Sequence, residues 1–407
     1  MAVVIVGTFD TKGEEIGFAR DVIEAAGVDV HVVDVGVMGD PEAEFEPDTA
    51  AAEVAQVAGT SLEHLREEAD RGEAMEAMGE GAAAVADRLH EEGVLEGILG
   101  LGGSGNTSIA TTAMRALPVG VPKLMVSTMA SGDVEPYVGA KDVAMMYSVA
   151  DVEGLNQLSR EVISNAALAT VGMVSSEPDV EVEERPTIGI TMFGVTTPCV
   201  QTAREYLEDR GYETIVFHAT GTGGRAMENL IEQGVIDGVL DVTTTEWADE
   251  LVGGVLSAGP ERLEAAAQAG IPQVVSTGAL DMVNFGPEDS VPEEFRDRNL
   301  HVHNPQVTLM RTTPEECAEL GSIVAEKLSA ATGETALALP LEGVSMLSVE
   351  GEEFYDPEAD AALFEALREG VDENVELLEL ETDVNDETFA RTIAEKLDDY
   401  MHEAGLV

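Results

Sequence analysis

The chain of 407 residues is poor in cysteine, with Cys199 and Cys317 as its two thiols. They lie far apart in the sequence, so the disulfide framework typical of small secreted domains is excluded. Both fall in segments that resemble the first turn of a packed helix. We expect them to be buried, small apolar side chains, with a reactive thiolate at Cys199 as the alternative.

Positive charge is also scarce: 21 Lys and Arg stand against 80 Asp and Glu, a formal net charge of −59. Nucleic acids and anionic membranes bind basic patches, and the sequence has no cluster of Lys or Arg, so both are excluded as general partners. The acids are spread along the whole chain, which indicates an acidic solvated surface. Because such a surface repels itself in dilute salt and is screened in molar salt, we expect a halophilic protein.

Long apolar runs are missing as well. No segment approaches the roughly 20 apolar residues of a membrane-spanning helix. The chain opens directly on the apolar stretch AVVIVG, without the basic residues that begin a signal peptide. We therefore expect a soluble cytoplasmic protein without a membrane partner.

What the sequence has in abundance is alternation between apolar strands and amphipathic helices. VVIVG, VDVHVVDVG, GILGL and VPKLMVST read as strands separated by segments of helical period. This alternation favours an α/β fold with parallel sheets and right-handed crossovers. The length suggests two domains, and the acidic stretch SSEPDVEVEERP interrupts the pattern. We predict a nucleotide-binding lobe at residues 1–176, a linker at 177–186 and a second lobe at 187–407.

The second half of the sequence repeats the first. LHEEGVLEGILGLGGS (89–104) aligns without a gap with LIEQGVIDGVLDVTTT (230–245). VPKLMVSTMASGDV matches IPQVVSTGALDMV with one deletion, and AGVDVHVVDVG resembles RGYETIVFHATG. Three matches in the same order predict two Rossmann-like lobes related by internal duplication. A ligand cleft is then expected between or beside the lobes, at the carboxyl ends of the strands.

The stretch GLGGSGNTS (100–108) nearly completes two phosphate-binding motifs. In the P-loop pattern, Asn106 stands where the lysine belongs; in the dinucleotide pattern, the expected acid is missing from the end of the following strand. Backbone amides, hydroxyl groups and a following helix nevertheless favour an anion. The candidate residues in this loop are Gly102, Gly103, Ser104, Gly105, Asn106 and Thr107, and Asn106 is expected to cap the helix.

The stretch GTFDTKG (7–13) supplies a candidate for the missing cation. Lys12 is one of five lysines and lies at a helix start, where a cation is unfavourable for the helix itself. An exposed lysine paired with an acid is the alternative. The other candidate ligand-binding residues of the first lobe are Gly7, Thr8, Asp10, Thr11, Ser127 and Thr128. Asp10 could help to hold Mg²⁺ through water.

The second lobe has a similar loop, HATGTGGR (218–225). It is a possible second anion loop, with candidate residues Thr220, Gly221, Gly223, Gly224 and Arg225. The alternative for any such loop is that Gly and Thr serve only helix caps and turns. The sequence has no group of residues with the spacing of a metal site.

Several of these stretches together resemble one known family. GTFDTKGEE, LGLGGSGNTS, PKLMVSTMASGDV, HATGTGGRAMENLI and HNPQVTLMRTT look like the ATP-binding domain family named after the tomato mosaic virus resistance protein, also called uncharacterised protein family 0261. The resemblance covers essentially the whole chain. It implies two Rossmann-like subdomains, ATP bound with Mg²⁺, and a homodimer or higher homo-oligomer with the nucleotide near the subunit contact.

Carried onto this sequence, the resemblance places the family's loops at Gly7–Lys12, Gly102–Thr107 and Ser127–Thr128. The plant protein has a further domain resembling a TIM barrel, which implies a separate protein of that kind as a possible partner here. The antiviral role of the plant protein is not carried over.

The sequence thus predicts a mononucleotide-binding protein with ATP as ligand, acting on phosphate or nucleotide with Mg²⁺ as an enzyme or enzyme component. No catalytic residue can be named. A nucleotide-sensing dimeric regulator without turnover is the first alternative. An NAD(P)-dependent oxidoreductase or a phosphosugar enzyme that uses the same loops is the second.

Overall fold

The computed structural model describes residues 2–39, 45–68, 70–176 and 185–407. The described chain forms two compact units, Met1–Glu181 and Val182–Val407. Most of the linker predicted at 177–186 lies outside the described residues.

The first unit has a parallel sheet with helices on both faces, and within the described residues the strand order is β2-β1-β3-β4-β5. The strands are β1 Ala2–Gly7, β2 Asp29–Asp34, β3 Leu95–Gly102, β4 Lys123–Ser127 and β5 Ala144–Tyr147. The helices are α1 Phe9–Ala25, α2 Ala51–Val57, α3 Leu62–Glu68, α4 Arg71–Glu91, α5 Ser104–Ala116, α6 Glu135–Val138 and α7 Gln157–Ser175.

Strand β1 shows why this sheet is buried on both faces. Val3 and Ile5 pack into a cluster with α1 and α7, whereas Val4 and Val6 pack into a cluster with α2, α4 and α5. An apolar residue at every position is the pattern of a parallel strand covered by helices on both sides. Alternate residues of one short strand therefore anchor two helical layers.

The second unit has a larger parallel sheet, and its order within the described residues is β14-β13-β9-β8-β6-β7. Its strands are β6 Thr187–Met192, β7 Glu213–His218, β8 Gly238–Thr243, β9 Gln273–Gly278, β13 Thr335–Pro340 and β14 Val375–Leu380. A separate antiparallel sheet contains β10 Met282–Phe285, β11 Leu300–Asn304 and β12 Val307–Arg311. The helices are α8 Thr197–Glu208, α9 Thr222–Glu232, α10 Glu246–Val252, α11 Ala265–Ala269, α12 Pro314–Ser329, α13 Pro357–Gly370 and α14 Glu387–Glu403.

The two parallel sheets share one topology. The order β2-β1-β3-β4-β5 corresponds to β7-β6-β8-β9-β13, with β14 as an added strand. The pairs that matched in sequence, β2 with β7, β3 with β8 and β4 with β9, occupy equivalent positions. The α/β fold class with largely parallel sheets is therefore confirmed, and the duplicated order places equivalent loops at equivalent strand ends.

Candidate functional site

A cavity of about 640 Å³ opens in the first unit at the carboxyl ends of β1, β2 and β3. The chain leaves β1 towards β2 on one side and returns to β3 on the other, so the loops that follow β1 and β3 diverge. This is the switch point where open α/β sheets bind their ligands. The volume lies within the roughly 300–1,000 Å³ of small-molecule sites.

The structure brings the two predicted loops of the first unit together at this cavity. Its lining includes Thr8, Asp10, Thr11 and Lys12 after β1, and Gly102, Gly103, Ser104, Gly105 and Asn106 after β3. These residues are about 90 positions apart in sequence and meet because β1 and β3 are paired neighbours.

Four other predicted residues are not among those that line the cavity. A Cβ atom on Gly7 would lie 2.4 Å from Ile16 Cδ1, so this glycine allows α1 to pack against the end of β1. The hydroxyls of Thr107 and Ser127 are buried and bond to each other at 2.6 Å. Thr128 begins a 3₁₀ turn, and its Oγ1 lies 3.8 Å from the position of a Cβ on Gly103.

The glycines after β3 are needed for space and not for an unusual backbone conformation, because none of them has a positive φ. Gly103 is the N-cap of α5, and no side chain caps that helix. The first amides of α5 therefore have no side-chain acceptor, which is the arrangement that binds anions at helix N-termini.

Asn106 does not cap α5, contrary to the sequence prediction. It lies inside the first turn, is 6% exposed, and its Nδ2 donates to Leu101 O at 2.7 Å and Val6 O at 3.3 Å. The amide thus ties the ends of β1 and β3 together. A P-loop lysine points its ammonium at phosphate, whereas the Asn106 amide is bound to two carbonyls of the protein, so the resemblance to that motif does not extend to Asn106.

Lys12 and Arg71 are unusual among the cations of this chain. Within the described residues, which include every Lys and Arg, these two side chains have no hydrogen-bond, ion-pair or ring partner, and both line the cavity. Each of the remaining cations has such a partner, most often an acid or a backbone carbonyl. The two unpartnered cations of the described residues therefore lie at one cavity, whose lining also includes the carboxylates of Asp10, Asp70 and Asp151.

Asp10 and Arg66 shape the wall of the cavity that follows β2. Asp10 Oδ2 accepts from the amides of Met38 at 2.6 Å and Gly39 at 3.2 Å. From the other side, Arg66 donates to Val37 O at 2.8 Å and Gly39 O at 2.5 Å. The loop is held between an acid after β1 and a base on α3.

Two oxygens at the cavity lack partners. Asp10 Oδ1 and Asn106 Oδ1 are buried, and neither accepts a hydrogen bond from the described residues. Both belong to side chains that line the cavity. Buried acceptors without partners are costly, and oxygen atoms of this kind suit a hydroxyl group or a hard cation.

Apolar side chains also line the cavity. They are Val35, Val37, Leu65, Met75 and Ile109, contributed by the loop after β2 and by α3, α4 and α5. The lining therefore combines amides and charged groups with apolar side chains, a mixture that suits a ligand with an anionic and an apolar moiety.

The sequence did not predict that Arg66, Arg71 and several apolar side chains line the cavity. Both arginines come from the acidic segment before and at the start of α4, which carries no recognised motif. The one available signal was the presence of two scarce cations in the run HLREEADRGE.

The predicted loop of the second unit is arranged differently. The amides of Gly221 and Gly224 donate to Glu246 Oε1 at 2.7 and 3.0 Å. Glu246 and Arg262 are each 1% exposed, and Arg262 Nε donates to Glu246 Oε2 at 2.7 Å. These two amides therefore already bind an anion, which is a carboxylate of the chain itself.

The other predicted residues of this loop are also engaged. Thr220 Oγ1 donates to His218 O at 3.2 Å, and Arg225 Nη1 donates to Ser257 O at 3.1 Å. A Cβ on Gly223 would lie 1.9 Å from His218 O. These glycines and donors serve the internal packing of the loop.

Arg262 is the centre of a buried charge cluster. It also donates to Asp241 at 2.5 and 2.8 Å and to Glu228 at 3.2 Å. Burial alone would lower the pKa of Arg262, but Asp241 and Glu246 hold it well above its usual value. Burial raises the pKa of Glu228.

Comparison with known proteins decides the family. Residues 1–179 match the domain described as Uncharacterised protein family (UPF0261) N-terminal domain, and residues 185–401 match its C-terminal domain. The chain belongs to this family. A UPF0261 protein of Clostridium tetani is 57% identical over 400 residues, which cover 98% of each chain.

The tomato protein named ToMV resistance protein Tm-1(GCR237) is another relative, 41% identical over 416 residues. The match covers 97% of this chain and 55% of the tomato protein, so the chain spans about half the length of that relative. Among solved structures, a putative UDP-N-acetylglucosamine 2-epimerase from Listeria monocytogenes has 10% identity, covers 68% of this chain and 79% of its own, and has a TM-score of 0.23. That likeness carries no argument about the ligand.

Both cysteines of this family member are free and buried. Burial raises the pKa of the Cys199 thiol, and it raises that of Cys317 to about 11. A thiolate nucleophile at Cys199 is therefore not supported.

Two structural features are absent from the described residues. None of their helices has the length and apolar character needed to cross a membrane. They contain no group of three or more His, Cys, Asp and Glu side chains placed to hold a metal ion.

Proposed function

We propose that the first unit of this protein binds a mononucleotide, ATP with Mg²⁺, in the cavity at the ends of β1, β2 and β3. The observation that carries the proposal is the pair of free cations, Lys12 and Arg71, at one cavity with an uncapped helix N-terminus. In a protein with 80 acids and 21 cations, free cations gathered at one site favour an anionic ligand.

Phosphate fits the start of α5 and the two unpartnered cations of the cavity. Amides at the start of α5 donate along fixed directions, and Gly103 and Gly105 leave room for close approach of an oxyanion. Lys12 and Arg71 would neutralise the phosphate charge. Apolar lining side chains such as Val35, Leu65 and Ile109 would contact the base.

The protein donors for Mg²⁺ would be the two unpartnered oxygens. Asp10 Oδ1 and Asn106 Oδ1 would hold the ion, directly or through water, while the phosphates supply further oxygen ligands. When bound, Mg²⁺ neutralises phosphate charge and polarises the phosphoryl oxygens. The protein would contribute the position of the ion through these two oxygens.

A mononucleotide is favoured over NAD. The acid that binds the ribose of a dinucleotide usually ends a neighbouring strand, and here β2 ends at Asp34. Asp34 is 4% exposed and its Oδ1 accepts from the amides of Phe9 at 3.0 Å and Gly36 at 2.8 Å. This acid is engaged in the loop and is not among the cavity-lining residues.

The site suits catalysis or sensing. Phosphoryl transfer depends mainly on positioning and charge neutralisation, both of which this site would supply. Release of ADP or phosphate on incubation with ATP would indicate an enzyme. A nucleotide-dependent change in oligomer size without turnover would indicate a sensor.

The first experiment is titration calorimetry in molar KCl with ATP and Mg²⁺, AMP and NAD. We expect Lys12→Ala to weaken ATP binding at least about tenfold and AMP binding less, because the ammonium faces the distal phosphates. Lys396→Ala is the matched control, since Lys396 belongs to the second unit and pairs with Glu376 at 2.8 Å. Tight NAD binding without ATP binding, or equal losses for ATP and AMP, would contradict the proposal.

A further inference from the structure

Glu246 and Gly105 occupy equivalent positions in the two units. Residues 89–104 align without a gap with 230–245, so the next pair in register is Gly105 and Glu246. The strands agree with this register, because β3 ends at Gly102 and β8 ends at Thr243, an aligned pair. One unit has no side chain where the other has a carboxylate.

The carboxylate of Glu246 accepts hydrogen bonds of the kind that a bound anion would accept. Its Oε1 accepts two amides at the N-terminus of α9, the helix that precedes β8, and its Oε2 accepts from Arg262. Glu246 begins α10, which follows β8, and the loop with Gly221 follows β7. In the first unit, the cavity lies between the equivalent loops after β3 and β2.

The first unit offers a different donor at the same place. The amides at the start of α4, the helix that precedes β3, are already satisfied, because Asp70 Oδ1 accepts from Gly72 at 2.8 Å and Glu73 at 3.1 Å. The side chain of Arg71 remains free. Its Nη2 lies 3.4 Å from the position of a Cβ on Gly105.

We propose that the first unit binds a phosphate group of its ligand beside Gly105 and Arg71, where the second unit holds the carboxylate of Glu246. The second unit fills its own anion site, so each chain binds one nucleotide. The identity of the ligand rests on the proposed function, whereas the anion site beside Arg71 does not.

The test places a tethered carboxylate in the first unit. Gly105→Glu and Gly105→Gln are nearly equal in size and differ by one charge. We expect the Glu variant to melt on the order of 2–4 °C above the Gln variant, because its carboxylate pairs with Arg71. Adding Arg71→Gln to both should close that gap. No gap, or a gap that persists without Arg71, would overturn the proposal.

A second measurement covers the case in which the Gly105 variants do not fold. Pyrophosphate binding should fall at least about tenfold in Arg71→Gln and stay unchanged in Arg88→Gln. Arg88 is the matched control because it lies on α4 and pairs with Glu53 at 3.0 Å. Equal affinity in the two variants would overturn the proposal.

Titration with ATP beside pyrophosphate distinguishes the anion site from the nucleotide as its ligand. If pyrophosphate binding depends on Arg71 and ATP does not bind, the proposed nucleotide ligand is wrong and the proposed anion site is supported. One ATP per wild-type chain supports the filled second unit, and two would overturn it.

Discussion

The two units use one topology in opposite ways at the same strand ends. In the first, the loop after β3 is rich in glycine and borders a cavity with two free cations. In the second, Glu246 begins the helix that follows β8, and buried charges fill the equivalent place. In the second unit a side chain of the protein occupies the anion-binding amides, whereas in the first unit we propose that a ligand does so.

Substitution of Arg262 and Arg71 should give the largest difference in stability between the two units. Arg262→Met leaves buried carboxylates without their cation, so we expect a loss of about 3–5 kcal/mol in the free energy of unfolding. Arg71→Met removes no protein partner, and its effect without ligand should stay within about 0.5 kcal/mol. Denaturant unfolding in molar KCl measures both.

Arg391→Met is the control for Arg262, since its pair with Glu387 is exposed and should contribute less than about 1 kcal/mol. If Arg262→Met costs no more than this control, the charge cluster is not what closes the second unit.

Substitution of one loop glycine in each unit should also have different effects. Gly221 has a φ of 81°, and a Cβ there would lie 2.6 Å from Ser257 O. Gly221→Ala should therefore cost about 1–3 kcal/mol or more of stability. A Cβ on Gly103 meets no atom closer than 3.8 Å, so Gly103→Ala should fold normally and weaken ATP binding.

Thermal unfolding and ATP titration of the two alanine variants test this pair. A destabilised Gly103→Ala would show that this glycine is needed for packing. A variant that binds ATP as the wild type does would show that the first loop is not a ligand loop.

The pH dependence of stability should come mainly from the buried acids of the second unit. Burial raises the pKa of Asp249 to about 7, above the about 3.9 of an unfolded aspartate. Between these values the folded state keeps a proton that the unfolded state releases, so stability falls as pH rises. Asp249→Asn should remove up to about 1.4 kcal/mol per pH unit from that slope.

Unfolding of the wild type and Asp249→Asn from pH 5 to pH 8 measures the effect. Asp360 will leave a residual slope, because burial raises its pKa to about 6. Parallel stability curves for the two proteins would mean that Asp249 does not titrate in this range.

Much of the fold could be predicted because its signals are local. Apolar runs of strand length and helices between them required parallel sheets, and the repeat placed β3 and β8 as equivalents. Lys12 and the glycine loop were recognised for the same reason, since turn composition and helix starts can be read from neighbours in sequence.

The role of Asn106 was misjudged because one of the two carbonyls that its amide contacts is distant in sequence. The pattern indicates a helix start, and a cap is the common use of Asn there. The nearby carbonyl of Val6, 100 positions earlier, offers the amide a different partner. A hydrogen bond of that separation depends on which strands pair.

The sequence by itself determined the α/β class, the duplication, the acidic surface and the two loops at the first unit's strand ends. Composition, periodicity and turn chemistry suffice for these. Only the tertiary structure decided that Arg71 lies beside Gly105 and that Arg262 and Glu246 close the second loop. Those outcomes depend on where crossover helices set side chains from distant segments, because charge pairing in a folded chain follows distance in space rather than in sequence.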